Sequence, residues 1–113
     1  MKKIEAVIQP EKFKPVCLSL EKLNYPGMMI TKVNGHGRQK GVVKQWLGKQ
    51  FRYNFLPKLK LELVVPDKAL EATVQCILEA ADTGHVGAGK IFITEVEDAI
   101  RISTRERKNK ALL

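Results

Sequence analysis

Cysteine and histidine are scarce in this chain of 113 residues, with two of each, and that scarcity removes several chemistries at once. Cys17 and Cys76 form no CxxC pair and have no histidine beside them, so zinc binding and thiol redox chemistry lack a ligand set. Each falls on the apolar side of a helical pattern, where a free cysteine acts as a small buried hydrophobe. His36 and His85 sit in separate loop segments, an arrangement that suits solvated rather than catalytic imidazoles. No Ser/His/Asp constellation is legible. Aromatics are few too, and the segment 58–65 has none, unlike an RNA-recognition sheet that stacks bases on paired aromatics. No apolar run reaches the roughly 20 residues that cross a bilayer. Glu5 and Gln9 interrupt what would be the apolar core of a signal peptide, so the expected location is the cytoplasm.

What is present is an ordinary globular composition, 44% hydrophobic and 28% charged, at a length that suits one domain over 1–113. Positive charge is in excess, 20 Lys and Arg against 12 Asp and Glu, for a net charge of +8. Such a balance fits nucleic acid, an acidic membrane surface or a small anionic ligand until the charges are placed.

Residues 2–9 alternate, with Ile4, Ala6 and Ile8 on one side, as a half-buried strand does. Pro10 then opens a helical pattern whose apolar face is Phe13, Val16, Cys17, Leu20 and Leu23. Pro26 and Gly27 mark a turn, and Met28 to Val33 reads as a second strand. Lys58 to Val65 is the clearest strand, Leu59, Leu61, Leu63 and Val65 facing in and Lys58, Lys60 and Glu62 facing out. Asp67 is placed to cap a second helix with the face Leu70, Val74, Ile77, Leu78 and Ala81, and Gly84 to end it. Ile91 to Ile93 make a fourth strand. The order βαββαβ predicts a ferredoxin-like α+β fold, a four-stranded antiparallel sheet with both helices on one face. Its other face is left for a partly wet covering such as another subunit. The tail 101–113 is basic and reads as extended before Ala111.

Between the second and third strands lie about 20 residues with neither helical periodicity nor a hairpin signal, where a connection of about 4–6 is usual. The base of this loop, Gly35 to Gly41, combines glycines with Arg38, Gln39 and Lys40, side chains suited to an anion. Its tip carries Lys44, Trp46, Lys49, Phe51 and Arg52, a basic and aromatic mixture typical of contact surfaces. A ligand at the base and a partner at the tip is the expectation. Further on, Gly84 to Lys90 fits the spacing GxxxxGK, but Ile91 follows instead of Ser or Thr, and the order is helix to strand instead of strand to helix. That excludes a Walker site. Three glycines before Lys90 still allow a backbone concavity for phosphate oxygens. Taken alone, the segment is better explained as a helix cap, a tight turn and a solvated lysine.

Five segments in order, Met1 to Ala6, Gly37 to Gly41, Phe55 to Lys58, Glu62 to Pro66 and Thr83 to Phe92, resemble the PII signal-transduction family of nitrogen regulatory proteins, as a divergent PII-like member. The likeness covers nearly the whole chain. It implies a homotrimer with nucleotide, ATP or ADP, in the clefts between subunits, and a docking segment over 37–55, the family's T-loop. By position the implied nucleotide contacts are Met29, Gly35, Gly37, Arg38, Gln39, Glu62, Val64, Gly87, Ala88, Gly89, Lys90, Arg101 and Ser103. A 2-oxoglutarate site falls on Gln9, Gln39, Lys40, Gly41, Lys58 and Gly87, beside a Mg ion held by ATP phosphates and the Gln39 amide oxygen. The implied partner is a membrane transporter, ammonium-conducting or ATP-driven, or an enzyme or regulator of nitrogen metabolism. Membrane association then comes only through a transporter partner, and neither enzymatic activity nor nucleic acid is expected.

Several positions depart from the family. Met29, Ala88 and Ser103 stand where threonine, aspartate and arginine are usual, which removes two polar contacts and a negative charge near the nucleotide and leaves discrimination between ATP and ADP open. Gln9 replaces an arginine common in relatives that bind 2-oxoglutarate, so binding of that ligand is expected to be weak or absent. Phe51 and Lys49 replace the tyrosine and serine that are modified in other members. The competing reading from the residues alone is a basic ferredoxin-like protein that binds nucleic acid, with a small phosphatase behind it.

Overall fold

The computed structural model describes residues 1–25, 27–35, 43–46, 49–52 and 56–112, with the backbone alone over 43–46 and 49–52. Among the described residues, six strands and two α-helices appear in the order β1 (Lys2–Ile8), α1 (Phe13–Glu21), β2 (Met29–Gly35), β3 (Val43–Trp46), β4 (Lys49–Arg52), β5 (Leu56–Val65), α2 (Leu70–Ala81) and β6 (Gly89–Glu95). Four of the strands make one antiparallel sheet in the order β2-β5-β1-β6. This is the expected ferredoxin-like α+β arrangement.

Alternation sets the sheet's two faces. Ile4, Ala6 and Ile8 of β1 pair with Leu63, Leu61 and Leu59 of β5. They pack under α1 and α2 with Val16, Leu20, Ile77 and Ala81 to form the core. Ile4, Leu20, Leu61 and Ile77 are fully buried, each contributing about 1.5–3 kcal/mol relative to an exposed position. Neither of the described α-helices covers the opposite face. Its register aligns Met29, Glu62, Glu5 and Phe92 in one row and Thr31, Lys60, Val7 and Lys90 in the next. Met29 and Phe92 are more than half exposed there.

Local chemistry moved several boundaries. A 3-10 turn, Pro10–Lys12, precedes α1, and Pro15 falls in the first helical turn, where a missing N–H costs nothing. The helix ends at Glu21, which leaves Leu23 outside it and 39% exposed. Asp67 does not cap α2. It begins a second 3-10 turn, Asp67–Ala69, with no side-chain cap bond, and its carboxylate pairs with the Met1 ammonium at 2.8 Å, which holds it below the usual carboxylate range. Nor does Gly84 end the helix. Helix α2 stops at Ala81, with Asp82 extended beyond it, and Gly84 sits in a turn whose N–H donates to Asp82 Oδ1 at 2.8 Å.

The tail is not extended. Asp98 accepts from Arg107 and from the amides of Ala99 and Lys108, while Lys108 Nζ donates to the Glu97 carbonyl at 2.9 Å. A bridge joins Ile100 to Arg107, and a 3-10 turn, Lys108–Leu112, closes the hook. The long loop also contains a hairpin that the sequence reading missed, with Val43 opposite Arg52 and Trp46 opposite Lys49.

Candidate nucleotide and effector sites

Two patches carry the described candidates. The first lies where α2 turns into β6. Thr83 and Asp82 bond back onto the turn, and Gly84, Gly87 and Gly89 take φ of +75°, +95° and +128°, values that L side chains rarely adopt. The Gly87 carbonyl accepts two donors, Gln9 Nε2 at 2.6 Å and Lys58 Nζ at 2.9 Å. These come from the end of β1 and from β5, so the glycine turn is clamped to the middle of the sheet. Gly35, paired with Leu56, clears the way for the lysine stem. A Cβ there would lie 2.9 Å from Lys58 Cγ.

Lys58 is on the outward side, as alternation predicts, yet it is only 8% exposed. Burial pulls its ammonium below the ordinary value of 10.5, with the charge of Glu11 opposing. The folded state thus disfavours the charged amine, and this group alone makes the fold more stable as pH rises toward 10.5. Lys90, next to Gly89, is exposed on the uncovered face. Ala88 is half-buried against an apolar cavity lined by Ile8, Leu78, Ala81 and Ile91.

The clamp gives a direct expectation. A neutral hydrogen bond contributes about 1 kcal/mol and a charge-assisted one about 1.5–3. Gln9→Ala is therefore expected to raise hydrogen exchange over residues 84–89 about fivefold, and Lys58→Met about tenfold or more. Unchanged exchange in both variants would mean that the turn is held by its own Asp82 and Thr83 bonds.

The second patch is at the other end of β1, about 17 Å away by strand rise. Met29 and Glu62 face each other across β2 and β5, and Val64 lies opposite Lys3. With Gly27, Met28, Ala111 and Leu112 these residues line a cavity of about 320 Å³. Glu62 is held by Lys3 at 3.0 Å and Lys60 at 3.2 Å, which keeps its carboxylate below the usual range. Lys3 in turn is raised above its ordinary value by Glu62 and Glu5. Arg101 Nη2 donates to the Ala111 carbonyl at 3.3 Å, which ties the tail to this patch. Ser103 is exposed in the preceding turn.

The structure thus gathers Gln9, Lys58 and Gly87 at one end and Met29, Glu62 and Val64 at the other, and leaves Arg101 on the tail. Gly37, Arg38, Gln39, Lys40 and Gly41 lie outside the described residues. Lys44, Trp46, Lys49, Phe51 and Arg52 are placed by their backbone alone. Sequence reasoning missed the double use of the Gly87 carbonyl and the Asp98–Arg107 pair. Neither has a signal along the chain, since the partners of the first are 78 and 29 residues apart.

Residues 1–106 match the family described as nitrogen regulatory protein P-II. A nitrogen regulatory protein P-II of Haemophilus influenzae is 48% identical over 112 residues, 99% of this chain and 100% of its own length. One of Rhodospirillum rubrum is 44% identical over the same shares. A nitrogen regulatory protein P-II 2 of Methanothermobacter thermautotrophicus is 43% identical over 99% of this chain and 97% of its own.

Proposed function

Because this chain belongs to the nitrogen regulatory protein P-II family, we propose that it is a homotrimeric signal-transduction protein that senses ATP and ADP and controls a target by docking the segment 37–55. The observation that carries this reading is the glycine turn. Three positive-φ glycines, clamped by Gln9 and Lys58, lead directly into an exposed Lys90. That arrangement suits phosphate, because glycine lets oxygen approach the backbone and the lysine supplies a point charge. Met29, Glu62 and Val64 suit a purine by offering an apolar wall with one polar edge.

Three copies with their uncovered faces inward would cover Met29 and Phe92, which one chain leaves more than half exposed. Lys3, Lys60 and Glu62 already pair with one another, so covering them strands no lone charge. Arg38 and Arg101 would add cations to the phosphates. Gln39 would help to hold Mg, which would neutralise phosphate charge that the cations leave. Ser103 offers no bidentate contact, so the phosphate grip relies on Lys90 and the arginines. A dicarboxylate such as 2-oxoglutarate must compete with the Gly87 carbonyl for Lys58 and meets only a neutral amide at Gln9, which weakens its binding. The role is regulatory, not enzymatic. The target is a membrane transporter or a protein of nitrogen metabolism, and any membrane association runs through it. No described helix is long and apolar enough to cross a membrane.

Calorimetric titration tests the reading. ATP and ADP are both expected to bind, and Lys90→Ala to weaken each by about 1.5–3 kcal/mol, the value of a charge-assisted contact. Lys90→Ala with unchanged affinity would remove the phosphate assignment from the glycine turn.

A further inference from the structure

The C-terminal hook occupies part of the second patch. Ala111 and Leu112 are half-buried and share a cavity wall with Met29, Glu62 and Val64. Leu112 also lines the larger apolar cavity next to it, formed with Leu23, Tyr25, Val65 and Ala69. Its side chain is thus seated between two hollows. The hook that delivers it combines the backbone bridge between Ile100 and Arg107 with a set of side-chain bonds. Asp98 gathers Arg107 and the amides of Ala99 and Lys108, and Lys108 reaches back to Glu97. Beyond that anchor, Arg101 Nη2 donates to the Ala111 carbonyl at 3.3 Å, which joins the terminal turn to a cation assigned above to phosphate.

We propose that the terminal turn, Lys108–Leu112, is an autoinhibitory plug on the base side of the nucleotide cleft, and that an anionic ligand drawing Arg101 away from Ala111 releases it. This rests on the nucleotide reading above and adds its regulation. The logic is a competition for one guanidinium. A phosphate forms a stronger, charge-assisted bond than a peptide carbonyl does. When Arg101 turns to phosphate, Ala111 loses its donor and Leu112 keeps only its apolar contacts. The hook from Asp98 to Lys108 stays in place, so only the last residues move. A plug that fills the cleft in most molecules lowers apparent affinity by the fraction left open.

Two variants test this, a chain ending at Asn109 and a full-length Leu112→Asp, both of which keep the Asp98–Arg107 anchor. Each is expected to bind ATP and ADP about three- to tenfold more tightly than the full chain in calorimetry, as removal of a competing occupant requires. Adding ATP to the full chain is expected to speed hydrogen exchange over residues 108–112. Affinity unchanged or weakened in both variants, or greater protection of 108–112 with ATP, would overturn the plug and leave the nucleotide reading standing. If neither the full chain nor the variants bind nucleotide, the nucleotide reading fails and the plug falls with it.

Discussion

Gly89→Ala is expected to lower the unfolding free energy by several kcal/mol, on the order of 3–5, because strain at a forbidden φ and overpacking each cost roughly 1–3 kcal/mol. At φ of +128° only glycine is at ease, and a Cβ built there lies 1.8 Å from the Val7 carbonyl oxygen and 2.9 Å from its carbon. Both atoms belong to the central strand β1, which is paired on both sides and has no room to retreat. Gly84→Ala provides the contrast. Its φ of +75° is unfavourable too, but nothing lies within 4 Å of the added carbon, so the loss is expected to be about 1 kcal/mol. Denaturant unfolding of both variants measures the difference. A Gly89→Ala midpoint equal to that of the unsubstituted protein would show that β6 can shift away from Val7, and would undo the close approach inferred there.

That contact illustrates what was and was not legible in the sequence. Strands and helices were readable wherever one face is buried, because alternation in Ile4, Ala6, Ile8 and in Leu59 to Val65 can satisfy only one pairing with the core. Boundaries failed where a side chain had two possible partners. Asp67 is a good cap by type, but the ammonium of Met1 is a stronger partner than a helix amide, and it arrives from the other end of the chain. Lys58 looked solvated by alternation, and only the folding of residues 82–89 over it makes it buried. The tail looked extended because charge runs usually are, yet Asp98 collects enough donors to turn it back. The glycine spacing from Gly84 to Gly89 was legible in full. Its clamp was not, since it depends on one carbonyl and two distant donors.

Removing Val43–Arg52 is expected to abolish capture of the target while leaving nucleotide binding and assembly intact, since the core and both patches lie outside the deletion. The paired register sharpens the expectation. Lys44 stands opposite Phe51 and Trp46 opposite Lys49, so by period two these four positions share one side of the ribbon, and Gln45 and Gln50 share the other. Four of the five residues that sequence composition marked for docking are therefore displayed together. Aromatic anchors commonly contribute 2 kcal/mol or more to an interface, about thirtyfold in affinity. A Trp46→Ala, Phe51→Ala double variant is expected to lose at least that much, and Gln45→Ala with Gln50→Ala to lose little. Capture from source cells with ATP, with ADP and without nucleotide would compare the variants under the conditions that matter. Equal loss in both pairs would mean that the ribbon acts only as a spacer. Retention of the same partner, with the same nucleotide dependence, by the deleted chain would move recognition to the basic segment after Arg101.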